Sequence, residues 1–137
     1  MKAFLDTNIL VDVILKREPF ATEAETILTM GSKGKILLFA STLSVATMAY
    51  LLKKTDTETK KEILSGLFSF VSLLPSKGEH VSRALKSDFA DLEDALQYEA
   101  SLEEPCDIII TRNIKDFACS SIPVLSPSEF LRYCGKP

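Results

Sequence analysis

What this chain has little of narrows it first. In 137 residues there is no tryptophan, one histidine, three cysteines and five glycines. A single histidine excludes a histidine-based nucleophile scheme or a multi-histidine metal centre within one chain. Cys106, Cys119 and Cys134 have neither paired spacing nor histidines around them, so they read as reduced thiols. The glycines are scattered, and no glycine-rich phosphate loop occurs. No apolar run approaches the roughly 20 residues needed to cross a bilayer. MKAFLDTN reaches charged and polar residues too early for a signal peptide. A cytoplasmic protein without membrane attachment is therefore expected. Positive charge is not in excess either: 16 Lys and Arg stand against 19 Asp and Glu, a net charge of −3. That balance argues against a general nucleic-acid binder. It leaves room for a small basic rim around an acidic site, whose charge a bound divalent metal would partly offset.

What is present is the balance of a globular protein, 46% hydrophobic and 26% charged. The length suits one domain over residues 1–137, enough to bury most of its apolar surface in one core. Short apolar runs alternate with longer helical stretches. Strands are expected at residues 3–5, 36–40, 70–74, 106–110 and 122–125. Helices are expected at 8–16 and 19–31, after a cap at Thr42 or Ser44, from Asp56 or Thr57 to Leu67, at 79–86 and 91–103, and after a cap at Ser126 or Ser128. Residues 31–35 read as a turn. Alternation of this kind predicts an α/β fold with a parallel sheet covered on both faces.

In such a sheet ligands bind beyond the carboxyl ends of the strands, so the polar residues that follow strands matter most. Asp6 follows the first run. Thr111, Arg112, Asn113 and Asp116 follow DIII, and Asp91 and Asp94 open the helix before it. Carboxylates brought together repel one another and are tolerated around a hard divalent cation. Such a site suits phosphodiester cleavage. Arg112 and Lys115 would border it and contact RNA phosphates. Each acid also has a purely structural reading: Asp6 as a helix cap, Asp91 and Asp94 as first-turn acids that suit the helix dipole, Asp116 as a turn cap. Asp107 lies at the entry of its strand, the wrong end, and reads as structural. His80 reads as a surface residue, the lysine pairs 53–54 and 60–61 as solvated charge, and Tyr50 as a core or subunit-interface residue. A receiver-like doubly wound domain fits less well, since it would need an acidic pair after the first strand and a late lysine.

FLDTNILVDVIL, DLEDALQ and DIIITRNIKDF occur in this order and span the chain. Together they resemble the PIN domain family. The resemblance implies a three-layer α/β/α domain with a central parallel sheet of about four to five strands. It implies a Mg²⁺- or Mn²⁺-dependent endoribonuclease acting on RNA and, for many small members, the toxin of a VapBC-type toxin–antitoxin pair, with an antitoxin protein as partner and a homodimer as assembly. Carried onto this sequence, it makes Asp6, Asp94 and Asp116 the metal-binding catalytic acids. Thr111 and Asn113 match supporting polar positions, and Asn8 would hold the Asp6 loop. One departure stands out. The family places a glutamate on the helix after the second strand, whereas STLSVATMAYL puts Thr47 there. A hydroxyl cannot supply a carboxylate's charge, which leaves Asp91 or Glu93 in reserve. It also motivates a second reading, a catalytically weakened PIN-like domain that binds RNA or protein.

Overall fold

A computed structural model describes residues 1–135 of the chain. Five parallel strands lie in the order β3-β2-β1-β4-β5: β1 (Lys2–Leu5), β2 (Leu37–Ser41), β3 (Val71–Leu74), β4 (Ile108–Ile110) and β5 (Val124–Leu125). The helices are α1 (Thr7–Ile14), α2 (Phe20–Ser32), α3 (Thr42–Leu51), α4 (Thr57–Leu67), α5 (Gly78–Leu85), α6 (Leu92–Ser101) and α7 (Pro127–Tyr133), with a 3₁₀ turn at Ile114–Phe117. None of them is long and apolar enough to cross a membrane.

Period-two alternation divides the core. In register, Ala3 lies opposite Leu38 and Ile108, and Phe4 lies opposite Phe39 and Ile109. Ala3, Leu5, Leu38, Ala40, Ile108 and Ile110 face one side, where they pack with Ile9 and Leu10 of α1, Ile27 of α2, Leu67 of α4 and Phe130 of α7. Phe4, Phe39 and Ile109 face the other side and pack with Ala100 of α6 and Phe117. The central strands are buried on both faces, which is why they read as unbroken apolar runs. Each fully buried side chain of this size contributes about 1.5–3 kcal/mol.

Several local expectations change. The helix expected to end at Gly31 continues to Ser32, and the turn follows at Gly34, whose φ is +71°. Gly31 is glycine for lack of space: a Cβ there would run into the Leu38 side chain of β2. The cap of α3 is Ser41, not Thr42 or Ser44; its hydroxyl accepts from the Leu43 N–H. His80 is fully buried, not a surface residue. Its Nδ1 accepts from the Lys77 N–H at the start of α5, which leaves the proton on Nε2, 3.1 Å from Glu103 Oε1. Tyr50 is exposed rather than packed in the core. The cysteines are unpaired, and burial pushes the Cys106 thiol up to about 11, so it stays protonated.

Arg112 differs most from its expected role. Its Nε and Nη2 donate to Oδ2 and Oδ1 of Asp12, at 2.6 and 3.2 Å, and its guanidinium lies 4.0 Å over the Phe20 ring. Asp12 sits on α1 and is completely buried. The pair ties the loop after β4 to α1, so the guanidinium expected to meet RNA is engaged within the fold. Replacing Arg112 with Leu leaves a buried carboxylate without its counter-charge. Urea denaturation should show a loss of about 2–4 kcal/mol, the lower bound reflecting partial exposure of the arginine. Replacing both residues with Leu should recover part of that loss; a double variant as weak as the sum of the single ones would refute the pairing account.

Candidate active site

The strand order reverses between β1 and β4, because the chain builds β2 and β3 on one side of β1 before crossing to β4 and β5 on the other. An open parallel sheet leaves a crevice at the carboxyl end of such a point. There Asp6, the residue after β1, donates its N–H to the Ile110 carbonyl at the end of β4, 3.0 Å away. Its neighbour across the crevice is Thr111, whose hydroxyl donates to Asp6 Oδ2 at 2.8 Å. Asp6 Oδ1 accepts from the Thr7 N–H at 2.8 Å, so the same carboxylate caps α1. The cap reading of Asp6 therefore holds, and the capping carboxylate lies at the crevice.

A cavity of about 330 Å³ opens over this point. Asp6, Asp94 and Asp116, predicted from separate stretches of sequence, all line it, with Asp91, Glu93, Asn8, Asn113 and Thr47. Each arrives on its own element. Asp91 is the N-cap of α6 and accepts from the Asp94 N–H at 3.0 Å, which brings Glu93 and Asp94 in the first turn to the opening. Asp116 stands in the 3₁₀ turn after β4, with its N–H bonded to the Asn113 carbonyl. Thr47 comes from α3, where its hydroxyl donates to Leu43 O of its own helix at 3.4 Å. Lys115 is exposed and lines an adjoining cavity that shares Asn113 and Asp116 with the mouth.

The support differs in detail from expectation. Asn8 does not bond Asp6; its Nδ2 donates to Thr111 Oγ1 at 3.4 Å, and its buried Oδ1 has no partner. Asn113 donates its backbone N–H to the same Thr111 oxygen. The Thr111 hydroxyl thus links Asp6 to two further groups, the Asn8 amide and the Asn113 backbone. Sequence reasoning missed a buried knot beneath the mouth. Gln97 Nε2 donates to Thr7 Oγ1 at 2.7 Å, and Thr7 and Ser44 share a hydrogen bond of 2.7 Å. It joins α6, α1 and α3, the three helices that bring Asp94, the Asp6 cap and Thr47 together. Gln97 had a signal, its place three residues after Asp94 in DLEDALQ, one helical turn along the same face.

The electrostatics are those of crowded acids. Burial raises the Asp6 carboxyl above its usual range against the hydrogen bonds from Thr111 and Thr7, and Glu93 and Asp116 add repulsion. Burial and the charges of Asp6, Asp91, Asp116 and Glu93 push Asp94 up to about 7. Carboxylates and amide oxygens, with no cysteine or histidine among the lining residues, form a donor set for a hard divalent cation. Elsewhere, ligand atoms of Glu79, His80 and Glu103 lie within 4.8 Å of one another. There both ring nitrogens of His80 are engaged and Lys77 Nζ is 2.6 Å from Glu103 Oε1, so that group holds α5 to the turn that follows α6. A larger cavity of about 600 Å³ runs between α1, α2 and α4, lined by apolar side chains such as Val13, Leu28 and Phe70.

The PIN domain family model matches residues 2–115. A relative named Ribonuclease VapC1, from Aquifex aeolicus (strain VF5), is 29% identical over 137 residues, which cover 94% of this chain and 92% of the relative. Among solved structures, a toxin-antitoxin complex from Klebsiella pneumoniae contains a chain 25% identical, with a TM-score of 0.67 over 91% of this chain and 97% of that one. VapBC-1 from nontypeable Haemophilus influenzae, at 17% identity, shares the fold with a TM-score of 0.67, over 93% of this chain and 99% of that chain.

The raised acids make stability depend on pH in a definite direction. Asp94 titrates near 3.8 when unfolded and at about 7 in the fold, so the folded protein holds the extra proton between those values. Stability therefore falls as pH rises through that window, and the penalty is complete above it. In EDTA, the melting temperature should fall between about pH 5 and about pH 7.5, and Asp94→Asn should flatten the profile. Mn²⁺ should restore stability chiefly at the upper end. An EDTA profile identical in wild type and Asp94→Asn would remove Asp94 as the cause.

Proposed function

The chain belongs to the PIN domain family, and from that premise we propose that it is a metal-dependent endoribonuclease, the toxin of a toxin–antitoxin pair. The observation that carries the reading is the convergence of Asp6, Asp94 and Asp116 in one mouth at the sheet's switch point, with two of them held above their ordinary range by burial and like charge. The donor set suits Mg²⁺ or Mn²⁺, which these three acids would hold, with Asp91 and Glu93 at hand. Such an ion supplies the positive charge that lets a water attack an RNA phosphate and lets the alkoxide leave. The chain's own residues do the positioning. Thr111 aims the Asp6 carboxylate and favours its charged form through its hydrogen bond. Asn113 and Asn8 hold the Thr111 oxygen from two sides. Lys115, exposed beside Asp116, is available to phosphate.

The names of the relatives support the biological half: one is a ribonuclease, and solved neighbours are toxin–antitoxin complexes. An antitoxin would be the natural partner, and the apolar cavity between α1, α2 and α4 offers surface outside the acid mouth. We place the whole of residues 1–137 in one domain that works in the cytoplasm as a homodimer, for which the exposed Tyr50 of α3 offers apolar surface. A second reading rests on Thr47. A neutral side chain stands in the acid mouth on α3, which lowers the charge available to a metal and favours a module that binds RNA without cutting it.

Purified protein should cleave single-stranded RNA in Mn²⁺ and not in EDTA, with Asp6→Asn or Asp94→Asn slower by about 100-fold or more. Thr47→Glu should tighten Mn²⁺ binding by about 10-fold in calorimetry. A folded wild type that neither binds Mn²⁺ nor cleaves any of several RNAs, while still binding them, would shift the assignment to the binding module.

A further inference from the structure

Of the residues that line the acid mouth, five are acids and one, Arg17, is a base. RNA is itself a chain of negative charges, and approach to this mouth is opposed by every carboxylate in it. We propose that Arg17 is the residue that receives the RNA phosphate backbone at the mouth, an assignment that rests on the ribonuclease reading and names the substrate contact within it.

The mount is built into the backbone. After α1, Lys16 adopts a left-handed conformation, φ +51°, unusual for a residue with a side chain. The reversal separates two adjacent cations. Lys16 lines the apolar cavity between α1, α2 and α4, whereas Arg17 lines the acid mouth. Both backbone groups of Arg17 are then fixed: its N–H donates to the Asp12 carbonyl at 2.9 Å, and its carbonyl accepts from the Ala21 N–H at 2.8 Å, in the first turn of α2. Asp12 is the same buried residue whose carboxylate engages Arg112. One residue therefore anchors two arginines in opposite ways. It occupies the guanidinium of Arg112 and holds only the backbone of Arg17.

The Arg17 side chain is exposed and, among the described residues, lies within ion-pair distance of no carboxylate despite the acids around it. A guanidinium on a fixed mount with its donors uncommitted is matched to phosphate, whose oxygens it takes two at a time. A charge serving only to neutralise the acids would be found paired with one of them.

The test compares wild type, Arg17→Gln and Arg17→Lys. A fluorescein-labelled single-stranded RNA is titrated by anisotropy at several salt concentrations in Ca²⁺, and cleavage of the same RNA is followed in Mn²⁺. Arg17→Gln should bind RNA about 10-fold more weakly, with a salt dependence of log K shallower by about 0.7, the value for one lost phosphate contact on a single strand. KM should rise more than kcat falls, and Mn²⁺ affinity should not weaken. Arg17→Lys should keep the salt slope and regain part of the affinity. Equal RNA affinity and slope in wild type and Arg17→Gln would overturn the assignment, and continued cleavage by both would leave the ribonuclease reading standing. An Arg17→Gln variant that loses melting temperature along with RNA affinity, without recovery in Arg17→Lys, would make Arg17 structural and overturn it too. So would a variant normal on RNA but weakened toward an acidic partner protein. A wild type that neither binds nor cleaves RNA would overturn the ribonuclease reading and this assignment together.

Discussion

A carboxylate held almost out of water at the reversal point of the sheet is the constraint around which the rest of this molecule is arranged. Burial disfavours the charge of Asp6, and two hydrogen bonds, from the Thr111 hydroxyl and the Thr7 N–H, work against that cost. The Thr7 donor is local to the helix cap, but the Thr111 hydroxyl is in place only because β1 pairs with β4 in one register, Leu5 beside Ile110. A shift of one residue would carry Thr111 to the other side of the sheet and leave the carboxylate without its hydroxyl. The same register puts Phe4 beside Ile109 in the core, so the apolar packing of the central strands and the geometry of the mouth depend on one pairing.

The mouth concentrates like charge, and the surrounding structure holds it in place. Burial pushes Asp6 and Asp94 toward protonation, and nearby charge adds to it: Glu93 and Asp116 at Asp6, and Asp6, Asp91, Asp116 and Glu93 at Asp94. Two clusters oppose the resulting tendency to spread. Asp12 and Arg112 fasten the loop that carries Asn113 and Asp116 to α1, and Gln97, Thr7 and Ser44 join α6, α1 and α3 below it. Natural proteins commonly retain a destabilised site of this kind where the chemistry requires it, with stability made up elsewhere.

Much of the fold was legible in residue order. Each expected strand appears; the central ones, β1, β2 and β4, are buried on both faces and so read as continuous apolar runs, with III before TRN the clearest example. Errors fell where a local signal has two meanings. Gly31 looked like a turn but is a close-packing position against Leu38, and the cap expected at Thr42 or Ser44 falls on Ser41, which also ends β2. The three acids were legible as residues that follow strands or open a helix. Their support was less so: Asn8 bonds Thr111 in place of Asp6, and Gln97 was overlooked because its partners lie on other helices.

The sequence by itself determined the alternation of strands and helices and the placing of Asp6, Thr111 and Asp116 just past strand ends, since periodicity and capping act over a few residues. Only the tertiary structure decided which side chains meet and which stay free. Thr7 and Gln97 are separated by 90 residues, Arg112 and Asp12 by 100, Asp6 and Thr111 by 105. Contacts of that span depend on the order in which the strands join the sheet. In the sequence, Arg17 and Arg112 are both arginines, and only Arg112, after a strand, drew a functional reading. In the fold, Asp12 buries itself against the guanidinium of Arg112 and leaves that of Arg17 at the mouth, because the charge of a buried carboxylate must be met at close range whereas its backbone carbonyl needs only an N–H.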